Sequence, residues 1–202
     1  MLNETNRYKS DNNIQMMKKI IPFLFLAALM VCDLQAQVQW RTMEQASQVD
    51  IKSNKKLFFV DFSTSWCGWC KKMDQDTFSD PVVAAILNKF YIPVKFDAEG
   101  NSTFTWNGVK YSNTKTPGQR PQTHPFARAI LGQKIGFPSF AVFNREKGLS
   151  QILQGYQNAY DFSMQLWYIC NGDSQRYTYE EYQKIFPTEI KPDMMKRLGL
   201  DK

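Results

Sequence analysis

The sequence predicts an α/β domain with a mixed central sheet, and three observations carry that prediction. Lys56-Leu57-Phe58-Phe59-Val60-Asp61-Phe62 is an apolar, aromatic run of strand character. It leads through Trp66-Cys67-Gly68-Trp69-Cys70 into Lys71-Lys72-Met73-Asp74, where a helical pattern begins. Along the whole chain the pattern reads helix, strand, helix, strand, helix, strand, strand, helix, the order of an α/β fold. Apolar residues make up 43% of the 202, so a core can form.

The polar residues 1–15 carry no structural signal. From Met16-Met17-Lys18-Lys19 two lysines precede a 13-residue apolar run, Ile20 to Cys32. A membrane span needs ~20 apolar residues, so the run is too short for one. A basic start, a short apolar stretch and a small residue at Ala36 together read as a secretory signal peptide cleaved after Ala36. Residues 1–36 are therefore assigned to an extension and leader, with translation starting at Met16 or Met17. Leu29-Met30-Val31-Cys32 also permits a lipid anchor on Cys32, but the bulky Val31 favours the cleaved form. The expected address is outside the cytoplasm, in a periplasm if the source is bacterial.

Thr42-Met43-Glu44-Gln45 has the pattern of a capping box, and Met43, Ala46 and Val49 give a short amphipathic helix to about Ser53. Leu57 to Ser63 is apolar on nearly every residue, as a strand covered on both faces should be. Asp61 interrupts it. A helix follows the cysteines to about Asp76. Ser79-Asp80-Pro81 then caps a helix over Val82–Phe90, and Tyr91–Phe96 is the next strand. Residues 98–123 change composition toward Asn, Thr, Gly and Pro. Within them Phe104 to Tyr111 alternates around Asn107-Gly108, a hairpin signal. Pro125–Ile135 reads as helix, Phe140–Phe143 and Leu149–Gln154 as strands joined by a turn at Arg145–Gly148, and Asn158–Ile169 as an amphipathic helix. Thr178-Tyr179-Glu180-Glu181 opens a capped helix, with another after Pro192. The domain is placed at 37–172, with 98–123 an inserted excursion and 173–202 a helical extension.

The net charge of +6 is spread over lysines and arginines that cluster no further than pairs. That is a solvated surface, and it excludes a nucleic-acid footprint. Of the four cysteines, Cys32 falls in the leader, leaving Cys67, Cys70 and Cys170. An odd count argues against a disulfide-stapled scaffold and fits one redox pair with a spare thiol. A Cys-x-x-Cys at a strand–helix joint has a physical purpose. The first sulfur lies at a helix N-terminus, where unpaired N–H groups and the helix dipole favour a thiolate. The second lies one turn on, within reach of a disulfide. Such a pair suits one thiol that attacks and one that resolves. A static bridge or half a zinc site are the alternatives. Zinc wants four ligands, yet His124 is the only histidine and Cys170 stands apart. No metal and no cofactor are called for. Cys170 reads as a buried inert thiol, and His124 as a surface residue before a helix.

Val60-Asp61-Phe62-Ser63-Thr64-Ser65-Trp66-Cys67-Gly68-Trp69-Cys70-Lys71 resembles the active-site strand and turn of thioredoxins. Gly136-Phe137-Pro138-Ser139 resembles their cis-proline loop. Asp76-Thr77-Phe78-Ser79-Asp80-Pro81-Val82-Val83 is similar to the C-terminal thioredoxin-like domain of membrane thiol:disulfide interchange reductases. The resemblance spans roughly residues 40–170 and implies a three-layer α/β/α sandwich. It implies that Cys67 is the nucleophile, nearer the surface, with Cys70 buried behind it as the resolving thiol. Asp61 corresponds to the buried acid of the family and Lys95 to the lysine beside it. Asp61 is then a proton acceptor for Cys70, its pKa raised by burial. Pro138 would be cis and pack against the disulfide, leaving the Phe137 backbone to pair with an extended substrate. Trp66 and Trp69 would be exposed contacts for a docking partner.

Gly68-Trp69 departs from the Gly-Pro of thioredoxin, which bears on the redox potential. No histidine lies between the cysteines to stabilise a thiolate strongly, which favours a reductase over a strong oxidant. The expected function is an exported thiol–disulfide oxidoreductase that reduces disulfide-containing client proteins, with a membrane thiol:disulfide reductase as electron donor. The other reading is a binding module with the same fold and an inert disulfide.

Overall fold

The alternating strands and helices build one four-stranded sheet, seen in a computed structural model that describes residues 37–49, 57–113, 122–133, 135–144 and 148–201. The leader, Cys32 and the turn residues 145–147 lie outside the described residues. Strand β1 (Leu57–Ser63) runs parallel to β2 (Tyr91–Asp97) and antiparallel to β5 (Ser139–Asn144). On the far side β5 pairs antiparallel with β6 (Gly148–Gln154), which gives the order β2-β1-β5-β6. The sheet is mixed, as expected, with β1 at its interior.

Alternation along β1 assigns its side chains to two cores. Phe59 points into one, with Met73 of α2 (Gly68–Asp76), Val83 and Leu87 of α3 (Pro81–Phe90), and Phe162 and Trp167 of α5 (Ala159–Cys170). Phe58, Val60 and Phe62 point into the other, against α1 (Met43–Ser47) and against Phe126 and Leu131 of α4 (Pro125–Leu131). A strand covered on both faces has no position for a polar side chain without a partner. Asp61 shares the face of Phe59 and therefore lies on the α2 side of the sheet.

The inserted excursion carries a hairpin of β3 (Thr103–Trp106) and β4 (Val109–Ser112), turning at Asn107 (φ 50°) and Gly108 (φ 79°). Two positive φ values in a two-residue turn match the twist of the strands, and Asn-Gly adopts them at little cost. Phe104 and Trp106 are buried against Phe126, so the hairpin helps to cover the second core. After α5, a single 3-10 turn leads to α6 (Tyr179–Ile185), opened by the Thr178–Glu181 capping box, and then to α7 (Lys191–Leu198). Tyr182, Phe186 and Met194 from this tail are buried in the first core.

Two helices are shorter than their patterns predict. α1 ends at Ser47 among the described residues, and α4 ends at Leu131 rather than Ile135. In α4 the chain leaves the helix at Gly132, whose φ of 73° no side-chain-bearing residue adopts easily. No helix among the described residues is long and apolar enough to cross a membrane.

Candidate active site

The end of β1 and the start of α2 bring the two cysteines together. Cys67 is the N-cap of α2: its backbone is extended, and its sulfur accepts the Cys70 N–H at 3.1 Å. The cap position supplies what an attacking sulfur needs, a donor aimed at it and the positive end of a helix dipole. Cys67 and Cys70 are joined in a disulfide, with Cα atoms 5.3 Å apart. The expectation that Cys67 lies nearer the surface is not met. The residues are 3% and 4% exposed, so accessibility does not rank them. Their difference is electrostatic: one sulfur caps the helix and the other sits inside its first turn.

Asp61, 1% exposed, lies on the same side of the sheet as α2. Its Oδ2 is 2.7 Å from Lys95 Nζ, which stands beside it in the β1–β2 register. Oδ1 is buried and accepts no hydrogen bond among the described residues. A buried polar atom without a partner needs an explanation, and an oxygen that periodically takes up a proton is one. Burial raises the Asp61 pKa from 3.8 to about 6, and Lys95 offsets only part of the effect. For Lys95 burial works downward, but Asp61 and then Asp74 outweigh it and the ammonium form is strengthened. Asp74 of α2 completes the cluster by pairing with Lys95. It falls four residues after Cys70, a spacing that puts both on one helix face, and that spacing is the sequence signal that would have found it.

The loop before β5 forms the other wall. The Phe137–Pro138 peptide is cis, and the Pro138 carbonyl accepts the Gly155 N–H at 2.9 Å. Phe137 is half-buried, and its backbone groups pair with no other backbone group among the described residues. The Trp66 ring meets the edge of Phe137 with centroids 6.1 Å apart, which sets this loop against the cysteine turn. The disulfide at a helix N-terminus and the cis-proline loop set against it have the layout that the resemblance to thioredoxins implies, and the site supports the chemistry of thiol–disulfide exchange. Trp66, just before Cys67, and Trp69, between the two cysteines, are 65% and 58% exposed. The Trp66 indole donates to Glu99 Oε2 at 2.8 Å, and Trp69 leans on Tyr156 at 5.5 Å. Glu99 and Tyr156 carry no motif that would single them out.

Comparisons with known proteins bear on the same region. A family model described as Thioredox_DsbH, a protein of unknown function (DUF255), matches residues 27–111, which include both cysteines of the pair. An uncharacterized protein of Caenorhabditis elegans, B0495.5, is 31% identical over 62 residues; the match covers 31% of this chain and 8% of that protein's length. Among solved structures, a thioredoxin from Thermus thermophilus is similar over 66% of this chain and 88% of its own, at 18% identity and a TM-score of 0.47. The reduced DsbD C-terminal domain of Neisseria meningitidis is similar over 57% of this chain and 84% of its own, at 21% identity and a TM-score of 0.37.

The two remaining candidates lie elsewhere. Cys170, at the end of α5, is half-buried, and burial pushes its thiol up to about 12. At neutral pH it stays protonated and unreactive. His124 is not a surface residue. It is fully buried as the N-cap of α4, with Nδ1 accepting the Phe126 N–H at 3.1 Å. That bond places the proton on Nε2, which donates to the Ser102 carbonyl at 3.0 Å. The ring stacks on Phe104 and meets the edge of Phe96. A single aromatic residue thus caps a helix and ties it to the excursion, and the dipeptide His-Pro signals only the cap.

Proposed function

We propose that this protein is an exported reductase of protein disulfides, working through the Cys67–Cys70 pair. The observation that carries the reading is the Cys67 sulfur capping α2 while accepting the Cys70 N–H. In the reduced protein that donor would hold the charge of a Cys67 thiolate. The thiolate attacks one sulfur of a client disulfide, forming a mixed disulfide and expelling the other client sulfur as a thiolate, which takes a proton from solvent. Cys70 gives its proton to the Asp61 carboxylate, and the resulting thiolate attacks the Cys67 sulfur. The second client thiolate leaves, the Cys67–Cys70 bond forms, and two electrons have passed to the client. Lys95 keeps Asp61 from holding its proton too tightly to return it. Phe137 offers backbone groups to an extended client segment, with Trp66 and Trp69 flanking it and Pro138 fixing the loop. A dithiol reductase in the membrane would restore the reduced pair.

The export part of the reading rests on the leader pattern in residues 1–36. A mature chain that begins at Gln37 supports it, and an uncut chain overturns it. Direction is tested by equilibrating the pair with dithiothreitol or glutathione. A potential near that of thioredoxin, ~−270 mV, supports a reductase, and one near ~−120 mV makes it an oxidant. A pair that never equilibrates would leave a binding module.

A further inference from the structure

Lys95 is held from four directions, and only two of them are charges. Its ammonium pairs with Asp61 and Asp74, and it also faces the rings of Trp40, at 5.1 Å, and Phe78, at 5.2 Å. The two rings meet edge to face with centroids 5.0 Å apart, making a corner around the ammonium. Trp40 comes from residues 38–41, a strap laid along the outer edge of β2. Arg41 N–H donates to the Pro93 carbonyl at 2.9 Å, and Lys95 N–H donates to the Arg41 carbonyl at 3.0 Å. One turn back, Asn88 clamps the strap by accepting the Gln39 N–H and donating to the Gln37 carbonyl. The indole is therefore fixed by its backbone, not by chance packing of a loose end.

The ammonium has somewhere else to go. Trp40, Phe78, Asp74 and Lys95 line an open groove of about 400 Å³, and the Lys95 side chain is 31% exposed. Lysine is a point charge on a flexible stem, and Asp74, 45% exposed at the mouth of the groove, offers it a solvated partner. Asp61 has no such freedom, because its carboxylate is buried in the sheet. An aromatic face attracts a cation most where water is scarce. Trp40 and Phe78 wall the corner in which the ammonium lies against Asp61, and their faces favour that position over a solvated one.

We propose that Trp40 is a positioning residue of the redox site: by holding the Lys95 ammonium against Asp61, it sets how readily Asp61 accepts the proton of Cys70. The titratable groups that meet there are Asp61 from β1, Lys95 from β2 and Asp74 from α2. The strap and the turn after α2 contribute the uncharged rings. This rests on the reading of Asp61 as the proton acceptor for Cys70. It also gives residues 38–41 a part in the chemistry, although they lie outside the cysteine turn.

The test uses the reduced protein and Ellman's reagent, an aromatic disulfide that releases one coloured thiolate when Cys67 attacks and a second when Cys70 resolves the adduct. The rate of the second release is followed from pH 4 to 9. Trp40→Leu removes the aromatic face while keeping an apolar side chain in the strap, and Trp40→Phe restores a face. We expect Trp40→Leu to move the pH midpoint upward by about half a pH unit, a change of about threefold in proton affinity. Trp40→Phe should stay near the parent. In a Lys95→Met background, Trp40→Leu should move nothing, because the cation it acts through is gone. The proposal is overturned if Trp40→Leu leaves the midpoint in place, if Trp40→Phe moves it as far as leucine does, or if the shift persists without Lys95. A parent protein that never releases the second thiolate would overturn the redox reading itself, and this proposal with it.

Discussion

Replacing Asp61 by asparagine should stabilise this protein at neutral pH while slowing the step that resolves its mixed disulfides. The magnitude follows from the burial of one carboxylate. Folding raises the Asp61 pKa from 3.8 to about 6, with burial as the main cause and Lys95 opposing it. The folded state therefore binds the proton more tightly than the unfolded chain, so this group's contribution to stability is fully present below about pH 3.8. It is lost as the pH rises through about 6, where the folded protein must carry a buried charge. A pKa difference of that size, at about 1.4 kcal/mol for each tenfold change in proton affinity, amounts to about 3 kcal/mol.

Asparagine has nearly the same shape and never ionises, so Asp61→Asn should escape that loss. The gain should be about 3 kcal/mol at pH 8, or about 6–12 °C in Tm for a chain of this size, and it should shrink toward zero near pH 3.5. Urea unfolding of the oxidised protein at several pH values measures it. A variant no more stable than the parent at pH 8, or one whose advantage is the same at pH 3.5, would refute the idea that burial of the charged carboxylate dominates at this position. The same variant should resolve a Cys67 mixed disulfide about 10²-fold more slowly at pH 7, the low end of what a positioned proton acceptor typically contributes.

Three other substitutions probe separate parts of the argument. Cys70→Ser should accumulate mixed disulfides between Cys67 and client proteins, visible on non-reducing gels and dissolved by dithiothreitol, whereas Cys67→Ser should trap none. His124→Leu should cost about 1–3 kcal/mol, because it strands the buried Phe126 N–H and the Ser102 carbonyl. His124→Asn, which can still cap α4, should cost less, and equal losses would show that the cap is not what His124 provides. Ending the chain at Gly172 removes Tyr182, Phe186 and Met194 from the first core. Three fully buried side chains at about 1.5–3 kcal/mol each approach the whole stability of an ordinary domain. The truncated protein should lose cooperative unfolding, and a sharp urea transition near that of the full chain would show the tail to be dispensable.

What the sequence disclosed followed the strength of its local signals. The apolar run of β1, the Asp80-Pro81 cap, the Asn107-Gly108 turn and the Thr178–Glu181 box each specify local backbone by chemistry within a few residues, and each element stands where its signal placed it. The cysteine pair and Asp61 were legible for the same reason: a helix N-terminus and a charge in an apolar strand are local anomalies. His124 reads as exposed from its local sequence because its burial depends on Phe96 of β2 and Phe104 of the excursion, which only the fold brings to it.

The surroundings of Lys95 show why a site is harder to read than a fold. Asp61 and Lys95 are neighbours only through the parallel register of β1 and β2, which are separated in sequence by two helices. Asp74 had a usable clue in its spacing from Cys70, but Trp40 and Phe78 had none, because an aromatic residue near a strand is most often core. Their part follows from a physical requirement that the sequence alone could pose but not answer. A carboxylate buried in a sheet needs a cation close enough to let it ionise and loose enough to let it protonate. A lysine between two acids and two aromatic faces meets that requirement, since each partner limits the hold of the others. In the role proposed for Trp40, the strap that carries it joins the proton chemistry of a cysteine pair to which its sequence gives no link.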